Sequence, residues 1–212
     1  MKNEFPLAAR NWAMISIVGT IIYVVLDIVV QLLPPYYSAF REAESLLAIG
    51  PYGCIMNINF FVRGILSFSV IMAIRSSVKG LSRRIRGTIF FGIWSVGSFL
   101  LGVFNTDTMG MPHLTFHGTM HILLALVAFI CAPVGEILLS VSLGRVRAGR
   151  SALWLGILSV VLLLVQFACF RSGYYGLFER LFIGLVVLWV AAVSFKLMRL
   201  KNRFQEEANR AG

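Results

Sequence analysis

PHLTFHGTMHILLALVAFICAPVGEILLSVSL, residues 112–143, is an apolar run with Glu136 as its only acidic or basic residue apart from histidine. It exceeds the roughly 20 residues of helix that cross a hydrocarbon core about 30 Å thick. Its N-terminal end carries all three histidines of the chain, His113, His117 and His121, at the i, i+4, i+8 spacing that lines up side chains on one helix face. A membrane helix with a polar end is therefore the unit from which the rest is read.

Five further apolar runs of comparable length flank it, so six spans are predicted over residues 12–33, 55–74, 88–104, 112–143, 151–170 and 177–198. Composition agrees: 58% of residues are hydrophobic, 13% are charged and the mean hydropathy is +0.85, against roughly 25% charged in soluble domains. The net charge of +10 points to membrane topology, not nucleic acid, because the bases gather in alternate connections. Arg75, Lys79, Arg83, Arg84 and Arg86 lie in the second, Arg145, Arg147 and Arg150 in the fourth, and Arg199, Lys201, Arg203 and Arg210 in the tail. The odd-numbered connections hold only Arg41 and Arg171. Both termini are accordingly expected in the cytoplasm, with the odd connections outside, in a cytoplasmic (inner) membrane. The basic loops are expected to meet anionic lipid. The fold class is all-α, a polytopic membrane protein forming one six-helix bundle over residues 1–212. The first span is too long for a signal-peptide core and is expected to be retained. Cys54, Cys131 and Cys169 have no metal or redox spacing and read as apolar fillers without disulfides.

Ionisable groups in hydrocarbon cost about 2.5–3.5 kcal/mol each on insertion scales, so they face the bundle interior with a partner or a task. At 1.5 Å per residue, Asp27 lies about 9 Å and Arg63 about 12 Å below the outer ends of their spans. Consecutive spans pack side by side, so an Asp27–Arg63 ion pair is expected. Gln31, Asn57, Asn59, His117, His121, Gln166, Glu179 and Arg180 share that outer half, whereas the inner half offers Ser67, Ser69, Glu136 and Ser140. The asymmetry implies a polar cavity open to the outer face; the alternative is interhelical hydrogen bonding that only holds the bundle together.

Pro112 suits the first turn of the fourth helix, after loop or capping residues Thr106, Asp107 and Thr108. Histidines four apart stand about 6 Å apart along the axis and could share one ion at metal–nitrogen distances of about 2.0–2.1 Å; His113 and His121, about 12 Å apart, could not. His117 with His121, or with His113, would bind a metal, most simply Zn²⁺, completed by Asp107 or by Glu44 or Glu179. A metal-bound water would then attack a lipid or amide substrate, with a carboxylate as general base and Arg63 or Arg180 holding an anionic group. Asn57, Asp27 and Glu179 join those arginines as candidate substrate contacts. Three other readings stand beside this one: structural or proton- and haem-related histidines, a small proton-coupled transporter with Asp27, Arg63 and the histidines as relay, and a non-enzymatic sensor or assembly subunit. Oligomeric state is left open.

Other marks read as structural. Gly50 and Pro51 form a turn before the second span, and Ser98 with Gly102 makes a small-residue packing pair. Tyr36, Tyr37, Tyr174, Tyr175 and Trp154 read as interfacial anchors. Glu136 reads as a possible helix-to-helix hydrogen-bond partner.

Taken together, Glu44, Ser45, Gly50 and Pro51 before the second span, Asn57 and Gly64 within it, and Gly102, Phe104 and Asp107 leading into His117, Gly118 and His121 resemble the six-helix prokaryotic membrane proteins called domain of unknown function 998. That resemblance implies the fold and no activity. Ser45, Asp107 and the histidines are more distantly similar to the inventory of alkaline ceramidases and adiponectin-receptor-like hydrolases, which join a serine, an aspartate and three zinc-binding histidines. By that analogy Asp107 and Ser45 are candidate catalytic residues, and Glu44 joins them as a carboxylate within reach of the histidines if the loops fold over the site. The analogy departs in having six helices instead of seven, and all histidines on one helix instead of two.

Overall fold

Long apolar stretches separated by short polar connections fold as antiparallel helices, because lipid supplies no partner for a free backbone N–H or C=O. The computed structural model describes residues 7–33, 37–77, 82–108, 110–144 and 148–210. Its elements are α1 (Leu7–Leu32), a 3₁₀ turn η1 (Glu44–Ala48), α2 (Gly53–Ser77), α3 (Ser82–Leu101), α4 (Phe116–Ser142), α5 (Ala148–Ala168) and α6 (Tyr175–Arg210). Each helix packs on the next, α6 closes the ring against α1, and α2 and α4 also meet α6 across the middle. The end carrying the first, third and fifth connections is called the upper end below.

Five of the helices are long and apolar enough to cross a membrane, and the chain is a multi-pass membrane protein. The third is the exception, with its apolar part confined to Ile85–Leu101 because Arg83, Arg84 and Arg86 occupy its beginning. At 1.5 Å per residue that segment spans about 26 Å, slightly short of the usual core. Helix α3 also stops at Leu101, before the expected 104. Lys79, Arg145, Arg147 and Tyr36 lie outside the described residues.

Below the upper end the bundle is sealed by aromatic packing. Trp94, Phe129 and Phe182 form a triangle with ring centroids 6.0, 5.1 and 6.4 Å apart, and Phe91 lies 5.0 Å from Trp189. Serines receive the indole N–H groups: Trp94 Nε1 donates to Ser67 Oγ at 3.1 Å and Trp189 Nε1 to Ser140 Oγ at 2.9 Å. Small residues set the helix spacing. A Cβ on Gly64 would lie 2.9 Å from the Ser95 carbonyl oxygen, and one on Gly135 would lie 2.6 Å from the Phe91 nitrogen, so glycine lets α3 approach α2 and α4 closely. Ser95 Oγ donates to the Gly64 carbonyl at 2.8 Å. Gly102 meets Asn57 and Phe61 of α2, while the Ser98 hydroxyl is buried without a partner among the described residues.

Candidate functional site

The upper half of α1 presents Tyr23, Asp27 and Gln31 at i, i+4, i+8, and α2 answers with Asn59, Arg63 and Ser67 at the same spacing. Such spacing stacks each set along one helix face. Arg63 stands about 15 Å below the start of α2, counted at 1.5 Å per residue, and is 1% exposed. Its partner is not Asp27. The connection between α1 and α2 folds down into the bundle, and η1 delivers Glu44, 2% exposed, to Arg63. Arg63 Nη1 donates to Glu44 Oε2 at 3.1 Å, Tyr23 Oη donates to Glu44 Oε1 at 2.6 Å, and the Glu44 backbone N–H donates to Glu179 Oε2 at 2.8 Å. Asp27 instead accepts from Gln31 Nε2 at 2.7 Å. The expected Asp27–Arg63 pair fails because a loop carboxylate reaches the arginine first, a possibility that depth counting along spans alone does not consider.

Three aromatic rings enclose the guanidinium: its central carbon lies 5.0 Å from the Phe60 centroid, 5.1 Å from Trp94 and 6.0 Å from Tyr23. The faces of such rings attract a cation, and their bulk excludes water. Polar capacity is left over. Arg63 Nε, both amide atoms of Asn59, Asp27 Oδ1 and Gln166 Oε1 are buried with no partner among the described residues. An unmet buried polar group costs about 1–3 kcal/mol, so each of these atoms marks a place for water or a ligand.

A second arginine ties the connection down. Arg180 donates through Nε to Gln31 Oε1 at 3.2 Å, and through Nη1 to the carbonyls of Ala39, Glu42 and Gly176 at 2.9, 3.0 and 3.0 Å; Nη2 reaches the Tyr37 hydroxyl. Tyr37 Oη in turn donates to the Glu42 carbonyl at 2.6 Å and also to that of Ala43. Burial holds the Tyr37 phenol above its ordinary pKa, so it stays protonated and able to donate. Tyr37 is thus an internal clasp and not an interfacial anchor. Tyr175 likewise turns inward, receiving Gln166 Nε2 at 3.4 Å, while Tyr174 is exposed.

The histidines do not share one helix face. Helix α4 starts at Phe116, with Thr115 as its N-cap accepting from the Gly118 N–H at 3.0 Å, so Pro112 and His113 precede the helix. Asp107 fixes that start: its carboxylate accepts from the Thr115 N–H at 2.7 Å and from Thr115 Oγ1 at 2.6 Å. His113 and His117 are exposed, and His117 lies 5.4 Å from the Phe104 ring, centroid to centroid. His121 is buried, its Nδ1 2.6 Å from the Phe104 carbonyl oxygen and its ring 6.2 Å from Phe60. It therefore borders the Arg63 enclosure through Phe60. Among the described residues no three of His, Cys, Asp and Glu stand together as a metal-binding group.

Of the candidate residues, Glu44, Arg63 and Glu179 form one hydrogen-bonded group and Asp27 with Arg180, through Gln31, a second, the two meeting at the neighbouring residues Glu179 and Arg180, with Ser45 half-buried beside Glu44. Asn57 sits where α2 meets Gly102; Asp107, His113 and His117 lie at the start of α4. Tyr23 is the participant that sequence reading passes over, although its position four residues before Asp27 placed it on the same face. Glu136 is fully buried on α4, both carboxylate oxygens without a partner among the described residues.

Comparison with protein families matches residues 17–196 to the family described as "Protein of unknown function (DUF998)". Comparisons with curated proteins and with solved structures find no match, and the more distant similarity to membrane hydrolases has no counterpart in these results.

Proposed function

The chain belongs to the DUF998 family, and on its own geometry we propose that it is a small proton-coupled transporter seen with its binding site at the extracytoplasmic face. The observation that carries this reading is charge balance. Asp27 with Arg180, through Gln31, and Glu44 with Glu179 and Arg63 form two hydrogen-bonded groups that meet at the neighbouring residues Glu179 and Arg180, and together they hold one carboxylate more than guanidiniums. An uncompensated charge in such a place costs several kcal/mol, and a proton taken up by the carboxylates removes it. The groups facing that proton are Tyr23 and Asp27 on α1, Glu44 on η1, Arg63 on α2, and Glu179 and Arg180 on α6, with His121 of α4 behind Phe60. The aromatic floor of Trp94, Phe129 and Phe182 supplies the closed side that alternating access requires. In this reading the membrane is the cytoplasmic one, both termini are inside, and the upper end faces out.

The test uses proteoliposomes loaded with a pH-sensitive dye and challenged in turn with carboxylic acids, phosphate esters, amines and neutral sugars. Solute-dependent proton entry that disappears in Glu179→Gln and Asp27→Asn supports the proposal. Intact protein that moves no proton with any class overturns it.

One observation favours a second reading, the metal-dependent hydrolase. A carbonyl on His121 Nδ1 holds the other ring nitrogen as an acceptor, the arrangement that commonly backs a metal-ligating histidine. His121 and His117 would hold Zn²⁺ and activate water on a lipid or amide substrate. The fit is incomplete, since Asp107 is taken up by Thr115 and the described residues supply no third donor at that place. Stoichiometric zinc in purified protein, lost in His117→Ala and His121→Ala, would put this reading first; protein without it, unaffected by those changes, would remove it.

A further inference from the structure

We infer that the ligand group taken by this site is an anion, a carboxylate or a phosphate, which binds Arg63 and Asn59 in exchange for Glu44. The inference deepens the proposal above and rests on reading the upper-end network as a ligand site.

Glu44 has the position of a built-in stand-in for such an anion. It comes from a 3₁₀ turn in a connection and not from a membrane helix, so it is the partner that can withdraw without unwinding a span. It holds the guanidinium through a single contact, Nη1 to Oε2 at 3.1 Å, where an arginine and a carboxylate can form a two-pronged fork. The Nε donor of Arg63 has no partner among the described residues. Asn59 stands one turn above on the same face of α2, fully buried, with its amide nitrogen and oxygen both unpartnered among the described residues. Residues at i and i+4 stand about 6 Å apart along the axis on one face, so the two unmet donors come from neighbouring turns and can reach different oxygens of one phosphate or carboxylate.

The exchange follows from the cost of an unpaired buried charge. Enclosed by Tyr23, Phe60 and Trp94, Arg63 cannot lose Glu44 to water without a large penalty, but it can trade Glu44 for another anion while protons taken up by the carboxylates offset the charge brought in. A cationic ligand group finds the opposite situation, because the aromatic faces that would hold it already hold the guanidinium. Released Glu44 also frees its backbone N–H from Glu179, which ties arrival of the anion to the carboxylate network.

The experiment titrates purified full-length protein in zwitterionic detergent with inorganic phosphate by calorimetry. In parallel, it compares nanodiscs of phosphatidylcholine with and without phosphatidic acid by native mass spectrometry. Saturable binding of free phosphate identifies a soluble anion; phosphatidic acid retained beyond the level that Arg63→Gln retains, with phosphate ineffective, identifies a lipid headgroup; both support the inference. Glu44→Gln, which keeps an acceptor for Arg63 and removes the competing charge, binds about tenfold tighter, the equivalent of one charge-assisted hydrogen bond. Asn59→Leu binds at least about fivefold more weakly while melting no earlier than the parent, since an apolar group replaces an unmet amide. Arg63→Gln loses phosphate binding and keeps only the phosphatidic acid that the basic loops attract. Folded parent and Glu44→Gln that bind neither probe overturn the inference, as does Asn59→Leu that binds like the parent. Proton entry driven by an amine or a sugar without anion binding would retire the anion and leave transport standing. Anion binding without proton entry would do the reverse.

Discussion

At the scale of single residues, the start of α4 shows a side chain doing structural work where sequence reading expects chemistry. Asp107 was a natural metal ligand or base, yet both of its recorded hydrogen bonds come from Thr115, and Gly118 is packed so tightly on it that a Cβ there would lie 2.0 Å from Oδ2. Removing an N-cap or its support costs about 0.5–2 kcal/mol. Asp107→Ala is therefore expected to cost an amount in that range, read in detergent as a thermal midpoint lowered by about 2–4 °C per kcal/mol. Gly118→Ala should do the same through collision with the carboxylate. Made together, the two changes should cost clearly less than their sum, because the alanine at 107 clears the space the new methyl needs. Additive losses would show that Asp107 and Gly118 do not act through one contact. The competing start signal, proline in the first turn, lies four residues before the observed start at Phe116: Thr115 with Gly118 offers a hydrogen bond that Pro112 cannot.

Elements show what hydropathy can and cannot read. The helices are legible because apolar length is a local property, and the glycine contacts between α2, α3 and α4 are legible as small residues within spans. The descent of the first connection is not, since it depends on pairs far apart in sequence: Glu44 with Arg63, Glu44 with Glu179, and Arg180 with Ala39 and Glu42. Arg180→Lys tests the clasp. A lysine ammonium has three donors on one point charge and cannot reproduce contacts to Gln31, Tyr37 and three carbonyls at once. Amide hydrogen exchange across residues 37–52 should accelerate about tenfold, the consequence of losing roughly 1.4 kcal/mol of local stability. Exchange should stay unchanged in α3 and α5, and acceleration spread over the whole chain would mean that Arg180 supports the bundle instead of the connection. Helix spacing has its own test. Gly135→Val places a branched Cβ 2.6 Å from the Phe91 backbone nitrogen, whereas Gly92 has open space around it. Gly135→Val should abolish a monodisperse elution profile and Gly92→Ala should keep it, as overpacking inside a close helix contact costs about 1–3 kcal/mol or more.

On the scale of the whole molecule, polarity is sorted by height. Asp27, Glu42, Glu44, Asp107 and Glu179 and most of the unmet polar atoms lie toward the upper end, indole–serine bonds and rings close the middle, and most bases collect at the other end. This sorting gives the orientation of the bundle an energetic basis, because Lys and Arg near span ends resist translocation whereas Asp and Glu contribute little. It also predicts which compartment reaches the site. In a chain with Cys54, Cys131 and Cys169 replaced by alanine, Ser172→Cys lies exposed in the fifth connection and Arg150→Cys exposed at the start of α5 on the opposite end. A membrane-impermeant maleimide added to intact spheroplasts should label the cysteine at 172 and leave the one at 150 untouched until the membrane is broken. The reverse pattern would place the Glu44–Arg63 network on the cytoplasmic side, and the ligand would then have to come from the cell interior. Labelling at both positions in intact cells would mean that the chain inserts in two orientations, and the uneven distribution of bases would lose its role as the determinant of topology.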